Sequence, residues 1–496
     1  MINTLIIYPV LLPLAAAILM MLFLKNIKIQ KALGLIASIA VTVLSFYMIS
    51  IISSQGILVY HLGDWAPPYG IVFVADMFSA LMVAFSSIVA LACLVFSFKT
   101  IGEGMEKHFY YVFYQLLLVG VYGSFLTGDL FNMFVFFEIM LLSSFVMIVL
   151  GGKPGQLRET FKYVVINILS SVLFLAALAM LYGVLGTLNM ADAAMKVAEV
   201  ENQGIITLIG MMFFIVFGLK ASVFPLYFWL PNSYFQPPAV ISALFGGILT
   251  KVGVYALIRV FTLIFIHDAG YTHNIILIVA GLTMAIGILG PVCQMDFKRI
   301  LVYHIISQVG YMIMGLGLFT VFAVAGAIYH LIHNIIVKSC LILISGVTEK
   351  ITGTTDLTKM GGLLGKFPVV GWSFFIAGLA LAGVPPLSGF ISKFILIRGG
   401  LEIEHYIISA VALAVGVLTL FSMMKIFIYA FWGQEKEIPK EHQGYNYKAL
   451  LPPIIPMIAL AILLGVGAEW LLVHVFTAAE QLMNPEIYIN AVIVKE

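Results

Sequence analysis

Long apolar runs constrain this chain more than any other feature. A helix needs about 20 consecutive apolar residues to cross the hydrocarbon of a bilayer, and about 14 such runs follow one another here. They lie near 5–24, 32–53, 77–98, 109–127, 130–151, 161–186, 205–228, 239–266, 274–294, 300–319, 321–347, 367–397, 406–431 and 450–475. Only 10% of residues are charged, against about 25% in soluble domains. The polar connections near 54–76, 187–204 and 432–449 are too short for a soluble core. The start, Met1 to Tyr8, has no basic region and no small-residue cleavage site, so it reads as a retained first helix. The expected fold is an all-α polytopic membrane protein. Cys93, Cys293 and Cys340 lie in apolar runs without paired spacing, and neither a disulfide framework nor a metal site is expected.

Lysine and arginine concentrate in cytoplasmic loops of membrane proteins. With the N-terminus outside, 16 of the 25 cations fall in inside loops: Lys25, Lys28, Lys31, Lys99, Lys107, Lys153, Arg158, Lys162, Lys298, Arg299, Lys350, Lys359, Lys366, Lys436, Lys440 and Lys448. Three, Lys196, Arg398 and Lys495, fall outside. An even number of spans then puts both termini outside.

The remaining cations, Lys220, Lys251, Arg259, Lys338, Lys393 and Lys425, stand inside apolar runs. Glu138 is the one carboxylate deep in a run, and Glu469 lies nearer an end. A charge at the bilayer centre costs about 2.5–3.5 kcal/mol on the lenient insertion scales. Such residues face a wet interior and mark ion paths. Arg259 stands late in its run and reads as a side chain that snorkels outward. Lys425 is open to a structural or a relay role. For Lys220, Lys251 and Lys393, static pairing is disfavoured because Glu138 can neutralise only one of them.

A buried lysine suits proton relay because desolvation favours its neutral form and a nearby carboxylate restores the charged one. Glu138 is the candidate partner at depth. His330, Asn334 and Lys338 recur every fourth residue and form one slowly drifting stripe on a helix, with His333 flanking it. That favours a relay over a metal site, since no carboxylate or cysteine converges there. His304, early in its run, is a further possible relay.

Two runs carry helix breakers beside a lysine: Gly218-Leu-Lys220 leading to Pro225 and Pro231, and Pro385-Pro386-Leu-Ser-Gly389 leading to Lys393. Proline removes a backbone donor, and broken helices at matching places in two halves point to transport sites. The breaks fall in runs seven and twelve. Runs four to eight and nine to thirteen are therefore expected to be two five-helix units, inverted because the number per unit is odd, with Lys251 and Lys425 at matching places. The expected divisions are 1–108, 109–267, 268–431 and 432–496.

These stretches resemble the proton-translocating, antiporter-like subunits shared by respiratory complex I, membrane-bound hydrogenases and Mrp sodium/proton antiporters. The likeness is carried by Phe224-Pro-Leu-Tyr-Phe-Trp-Leu-Pro231, Pro237-Pro238-Ala-Val-Ile-Ser-Ala-Leu, Thr250-Lys251-Val-Gly-Val-Tyr and Pro385-Pro-Leu-Ser-Gly-Phe-Ile-Ser-Lys393. Length and overall look are nearest the D-type Mrp subunits. The resemblance implies 14 helices, two inverted repeats and a central hydrophilic axis. It implies a proton relay through Glu138, Lys220, Lys251, His330, Lys338 and Lys393. Where the family often has a second histidine four residues after the first, this chain has Asn334, so the role of His333 stays open. The resemblance further implies a cell-membrane complex with the A-, B-, C-, E-, F- and G-type Mrp subunits that exchanges H+ for Na+, with the lipid bilayer as solvent. No nucleic-acid partner, cofactor or enzymatic activity of its own is expected. The alternative within the family is a proton-pumping subunit of a complex I-like quinone oxidoreductase or membrane-bound hydrogenase.

Overall fold

The computed structural model describes residues 3–442 and 445–493. The expectations about Met1 and Lys495 lie outside these residues. Among them, 11 helices are long and apolar enough to cross a membrane, and 12 if one bent pair counts as a single span. In chain order the helices are α1 (Asn3–Leu22, opening with a 3-10 turn), α2 (Ile27–Gln55), α3 (Met77–Thr100), α4 (Tyr110–Leu126), α5 (Leu130–Val149) and α6 (Pro154–Leu185). They continue with α7 (Gln203–Ala221), α8 (Ala239–Leu263), α9 (Ala269–Cys293), α10 (Phe297–Leu318) and α11 (Val321–Thr352). Last come the broken α12 (Pro368–Ala382, then Ser388–Glu402), α13 (Tyr406–Phe431) and α14 (Ile454–Val466 and Ala468–Met483, bent by 77°). The chain is thus a polytopic membrane protein whose spans are all helical. Each expected run overlaps one of these elements, with Tyr110–Leu126 and Pro368–Ala382 shorter than a full span. At 17 residues α4 is about 25 Å long, which leaves it short of the usual ~30 Å hydrocarbon thickness.

Within the apolar runs, helix starts are set by short polar side chains that satisfy the first free N–H groups. Asp129 accepts from Asn132 N at 2.8 Å, Asp296 from Arg299 N at 2.9 Å and Thr320 from Ala323 N at 3.1 Å. Asp76 accepts from Ser79 N at 2.8 Å while Ser79 Oγ accepts from Asp76 N, which closes both ends of the cap.

Helix α8 is buried along its whole length, and α10 and α11 almost so. They form the centre of the bundle. Helices α1, α2, α6, α9 and α13 bury less than half of their span and face the lipid. The 54–76 connection is not all loop. Leu58–His61 and Val72–Ala75 pair as an antiparallel hairpin, with Leu58 opposite Ala75. A short helix, Pro485–Val492, follows α14.

Two charge readings need correction. Arg259 does not snorkel: it is buried and its guanidinium meets Asp76 Oδ2 at 2.6 Å. The sequence pattern conceals this partner because Asp76 caps α3 just outside an apolar run, yet packing buries it. Lys298, expected in a water-facing loop, instead has a buried ammonium that donates to the carbonyls of Phe235 and Pro237.

Candidate ion-conducting site

The site begins where α7 stops. Ser222 takes a left-handed conformation (φ 65°), and the chain turns through Pro225 before helix resumes at Leu230. Backbone groups freed inside a membrane protein must find other partners. Here the Trp229 indole N–H donates to Leu219 O at 3.1 Å, and Phe224 N donates to Thr283 Oγ1 of α9 at 3.0 Å. Lys220, in the last turn of α7, is therefore released from capping its own helix. Its ammonium donates instead to Asn167 Oδ1 of α6 at 3.2 Å.

Glu138 of α5 is half-buried and accepts a hydrogen bond from Ser171 Oγ, also on α6. No ammonium lies within 4.0 Å of Glu138 among the described residues. The expected Glu138–Lys220 contact is therefore open. Asn167 and Ser171 stand one turn apart, so one face of α6 holds the base and the acid separately.

Helix α8 packs hard against the end of α7. A Cβ on Gly253 would meet Ala221 N at 2.6 Å. Five residues of α8, Phe245–Leu249, form a π-turn, and the fully buried Lys251 follows it. The ammonium of Lys251 donates to Gly246 O at 2.6 Å. Lys338 of α11, also fully buried, donates to Leu301 O of α10 at 3.2 Å.

The break in α12 is built differently. Gly383 takes φ 90°, and a Cβ there would meet the Lys393 side chain at 2.9 Å. Pro385 and Pro386 occupy the gap between Ala382 and Ser388. The carbonyls freed by the break, Leu381 O and Ala382 O, both accept from Lys393 Nζ at 2.9 Å. The same ammonium lies 5.0 Å from the centre of the Tyr311 ring. Gly389 admits the first half of α12 and His333 together: a Cβ there would collide with Ala380 O and meet His333 Nε2 at 2.9 Å.

Helix α11 then meets the second half of α12. His330 Nδ1 pairs with Ser392 Oγ at 2.9 Å, and His333 Nδ1 with Ser388 Oγ at 2.8 Å. Asn334 Nδ2 reaches His330 Nε2 at 3.0 Å. The two imidazole rings stand 5.7 Å apart, which brings His333 into the same cluster as His330. Lys425 is held by three carbonyls at the end of α9: Pro291 and Val292 at 2.9 Å and Gln294 at 2.7 Å. That is a helix-capping arrangement.

Several buried polar atoms have no protein partner among the described residues. They include both ring nitrogens of His304, His333 Nε2, Gln308 Oε1, Asn334 Oδ1 and Thr250 Oγ1. Sequence reasoning missed Asn167, Ser171, Ser388, Ser392 and Tyr311. The pairs 167/171 and 388/392 carry a usable signal, since polar side chains four apart in an apolar helix share one face.

The family model described as NADH:quinone oxidoreductase/Mrp antiporter, transmembrane, matches residues 127–422. The D-type subunit of the Na+/H+ antiporter of Alkalihalophilus pseudofirmus is 55% identical over 491 residues, 99% of each chain. The chain belongs to the D-type Mrp branch of this family. Its counterpart in Bacillus subtilis, likewise a D-type Na+/H+ antiporter subunit, is 47% identical over 99% of each chain. A chain in the structure of the Mrp complex from Dietzia sp. superposes with a TM-score of 0.91 at 30% identity, covering 99% of both chains. A chain of respiratory complex I from Thermus thermophilus, at 22% identity, shares the fold with a TM-score of 0.82 and covers 98% of this chain and 100% of that one. As an Mrp D-type chain, this protein is a transporter component rather than an enzyme.

Proposed function

We propose that this subunit conducts protons within an Mrp complex that exchanges H+ for Na+, by relay through Glu138, Lys220, Lys251, Lys338, His330 and Lys393. One observation carries the reading. Each of these lysines is held by a neutral oxygen: Asn167 Oδ1 for Lys220 and backbone carbonyls for Lys251, Lys338 and Lys393. A lysine locked to a carboxylate would leave a buried anion behind on losing its proton, which is costly. A lysine on a carbonyl leaves none. The partnerless atoms of His304, His333, Gln308, Asn334 and Thr250 support water between the lysines, because buried polar groups need hydrogen-bond partners. His333 and His304 are side members of this path. Lys425, on three carbonyls, caps α9.

The helices read best as 14 spans, with α4–α8 and α9–α13 as inverted repeats. The breaks of α7 and α12 lie five helices apart, each beside a lysine, and Lys251 and Lys425 follow on the next helix. The units are 109–267 and 268–431, flanked by 1–108 and 432–496. Both termini lie outside the cell membrane by the lysine bias.

Glu138 is half-buried on a lipid-facing flank, where a carboxylate at mid-span is costly. A neighbouring helix from another Mrp protein (of A, B, C, E, F or G type) covers it in the complex. Sodium binding falls to those partners, since a hard cation needs several converging oxygen ligands. The test is sodium-driven proton movement, followed by a pH-sensitive dye, in everted vesicles from antiporter-deficient cells. The complete complex should exchange and this chain alone should not. Lys251→Met and Lys338→Met should each abolish exchange in the complete complex, and normal exchange in both would refute the reading.

A further inference from the structure

Among the described residues, the relay leaves unused an ion pair buried on both sides, Arg259 with Asp76. On α8, Lys251, Tyr255 and Arg259 recur every fourth residue, so they form a polar stripe climbing toward the face opposite the lysine-rich loops. Arg259 stands about 12 Å along the helix from Lys251. A proton path that continued up this stripe would be open at both ends and would dissipate the gradient that the exchanger uses.

The stripe ends in a closed knot. The Tyr255 hydroxyl donates to Phe125 O of α4 at 2.7 Å and accepts from Arg259 at 3.1 Å. Its hydrogen bond therefore runs into a peptide carbonyl and not onto a titratable group. Asp76 Oδ2 takes the guanidinium at 2.6 Å while Oδ1 takes Ser79 N, so both carboxylate oxygens are occupied. The rings of Phe78, Tyr255 and Tyr488 lie 5.8, 5.4 and 5.3 Å from the guanidinium carbon. Tyr488 comes from the helix after α14, and Gln481 of α14 accepts from Met77 N at 3.0 Å beside Asp76. Asp76, Tyr255, Arg259 and Tyr488 are all buried.

We propose that Arg259, seated on Asp76 and Tyr255, is the proton stop that insulates Lys251 from the face opposite the lysine-rich loops. Arginine does not release its proton in proteins, and a fixed cation in a channel wall excludes protons. Asp76 offsets the cost of burying that cation without offering a vacant oxygen. The proposal rests on the proton-relay reading given above.

The test is passive proton leak through the purified complete complex in liposomes. Without sodium, a potassium gradient with valinomycin drives protons inward, and an entrapped pH dye reports them. Arg259→Lys keeps the charge but restores a group that can deprotonate. Its leak should rise about tenfold, equivalent to about 1.4 kcal/mol of barrier. Adding Lys251→Met should return the leak to the wild-type level. Gln481→Leu loosens the same knot without touching the guanidinium and should stay tight. Tight Arg259→Lys liposomes with normal complex content would overturn the proposal. So would a leak that survives Lys251→Met, a Gln481→Leu leak equal to that of Arg259→Lys, or failure of Arg259→Lys to assemble, which would make the residue structural. Sodium-driven exchange by Lys251→Met alone reports separately on the relay reading.

Discussion

Lys220 and Glu138 are held apart by one face of α6: Asn167 accepts from the ammonium, and Ser171 one turn later donates to the carboxylate. Both holders are neutral, so neither the base nor the acid is committed to a permanent ion pair. A pair of unit charges at ~4 Å in a medium of effective dielectric 20 is worth about 4 kcal/mol, enough to shift a protonation equilibrium by about a thousandfold. On the proposed relay, motion of either side chain past its α6 partner would change the proton occupancy of Lys220.

That arrangement gives a first prediction in two variants. Glu138→Gln keeps shape and removes the charge, and exchange should fall at least about tenfold. Asn167→Asp puts a fixed anion where Lys220 Nζ already lies 3.2 Å from the side-chain oxygen. It should lock the ammonium and lower exchange as strongly. Immunoblots and native gels should show the complex at normal level in both. Normal exchange in Glu138→Gln removes the carboxylate from the path, and lost assembly makes it structural.

A second prediction concerns the break of α12. Gly389 has no room for a side chain, because a Cβ would collide with Ala380 O. Overpacking of this kind costs about 1–3 kcal/mol, here against backbone and not a flexible chain end. Gly389→Ala should lower the thermal midpoint of the detergent-solubilised complex and weaken the His333–Ser388 contact. Gly104→Ala, where a Cβ meets nothing within 4 Å, is the control and should leave the midpoint unchanged. Equal midpoints for the two variants would show that the break relaxes freely.

Most of the bundle is legible from hydropathy, because in lipid a continuous apolar run has hardly any alternative to helix. The breaks at Pro225 and Pro385–Pro386 are legible because proline removes a backbone donor from the helix. What escapes is lateral packing. Nothing in the sequence says that Asp76, at the cap of α3, closes on Arg259 of α8, because the two are far apart in the chain and only tertiary contact makes them partners. Lys298 likewise has the pattern of a loop residue, since it begins a helix beside other charges, yet the turn through Phe235 and Pro237 folds over it. The 77° bend of α14 falls at Gly467. A single glycine in an apolar run does not announce a bend of that size.

Orientation gives a third prediction. Lysines crowd the loops at one end of the bundle, and single cysteines can report which side that is. A cysteine in the Lys153–Lys162 segment should be shielded from impermeant thiol reagents in intact cells, and one near Lys196 should label. Cys293 is exposed, so it should first be replaced by serine. The reverse labelling pattern would invert the whole bundle.

Lys393 separates a relay from a fixed countercharge more sharply than any other position. Its ammonium is shared between Leu381 O and Ala382 O at the end of the first half of α12, where helix-end carbonyls favour a cation. That geometry alone suits a permanent cap. The surroundings suit a relay: the ammonium faces the Tyr311 ring, and the His330–Ser392 and His333–Ser388 pairs stand on the same half-helix. The two roles differ in whether the proton must leave. Arginine keeps the charge but holds its proton, while alanine loses both charge and proton site. If Lys393 relays, Lys393→Arg and Lys393→Ala should both lower exchange at least about tenfold in everted vesicles at equal complex content. If it only caps, Lys393→Arg should retain most activity while Lys393→Ala does not. An active arginine variant would end the relay at His330 and leave α12 as scaffold.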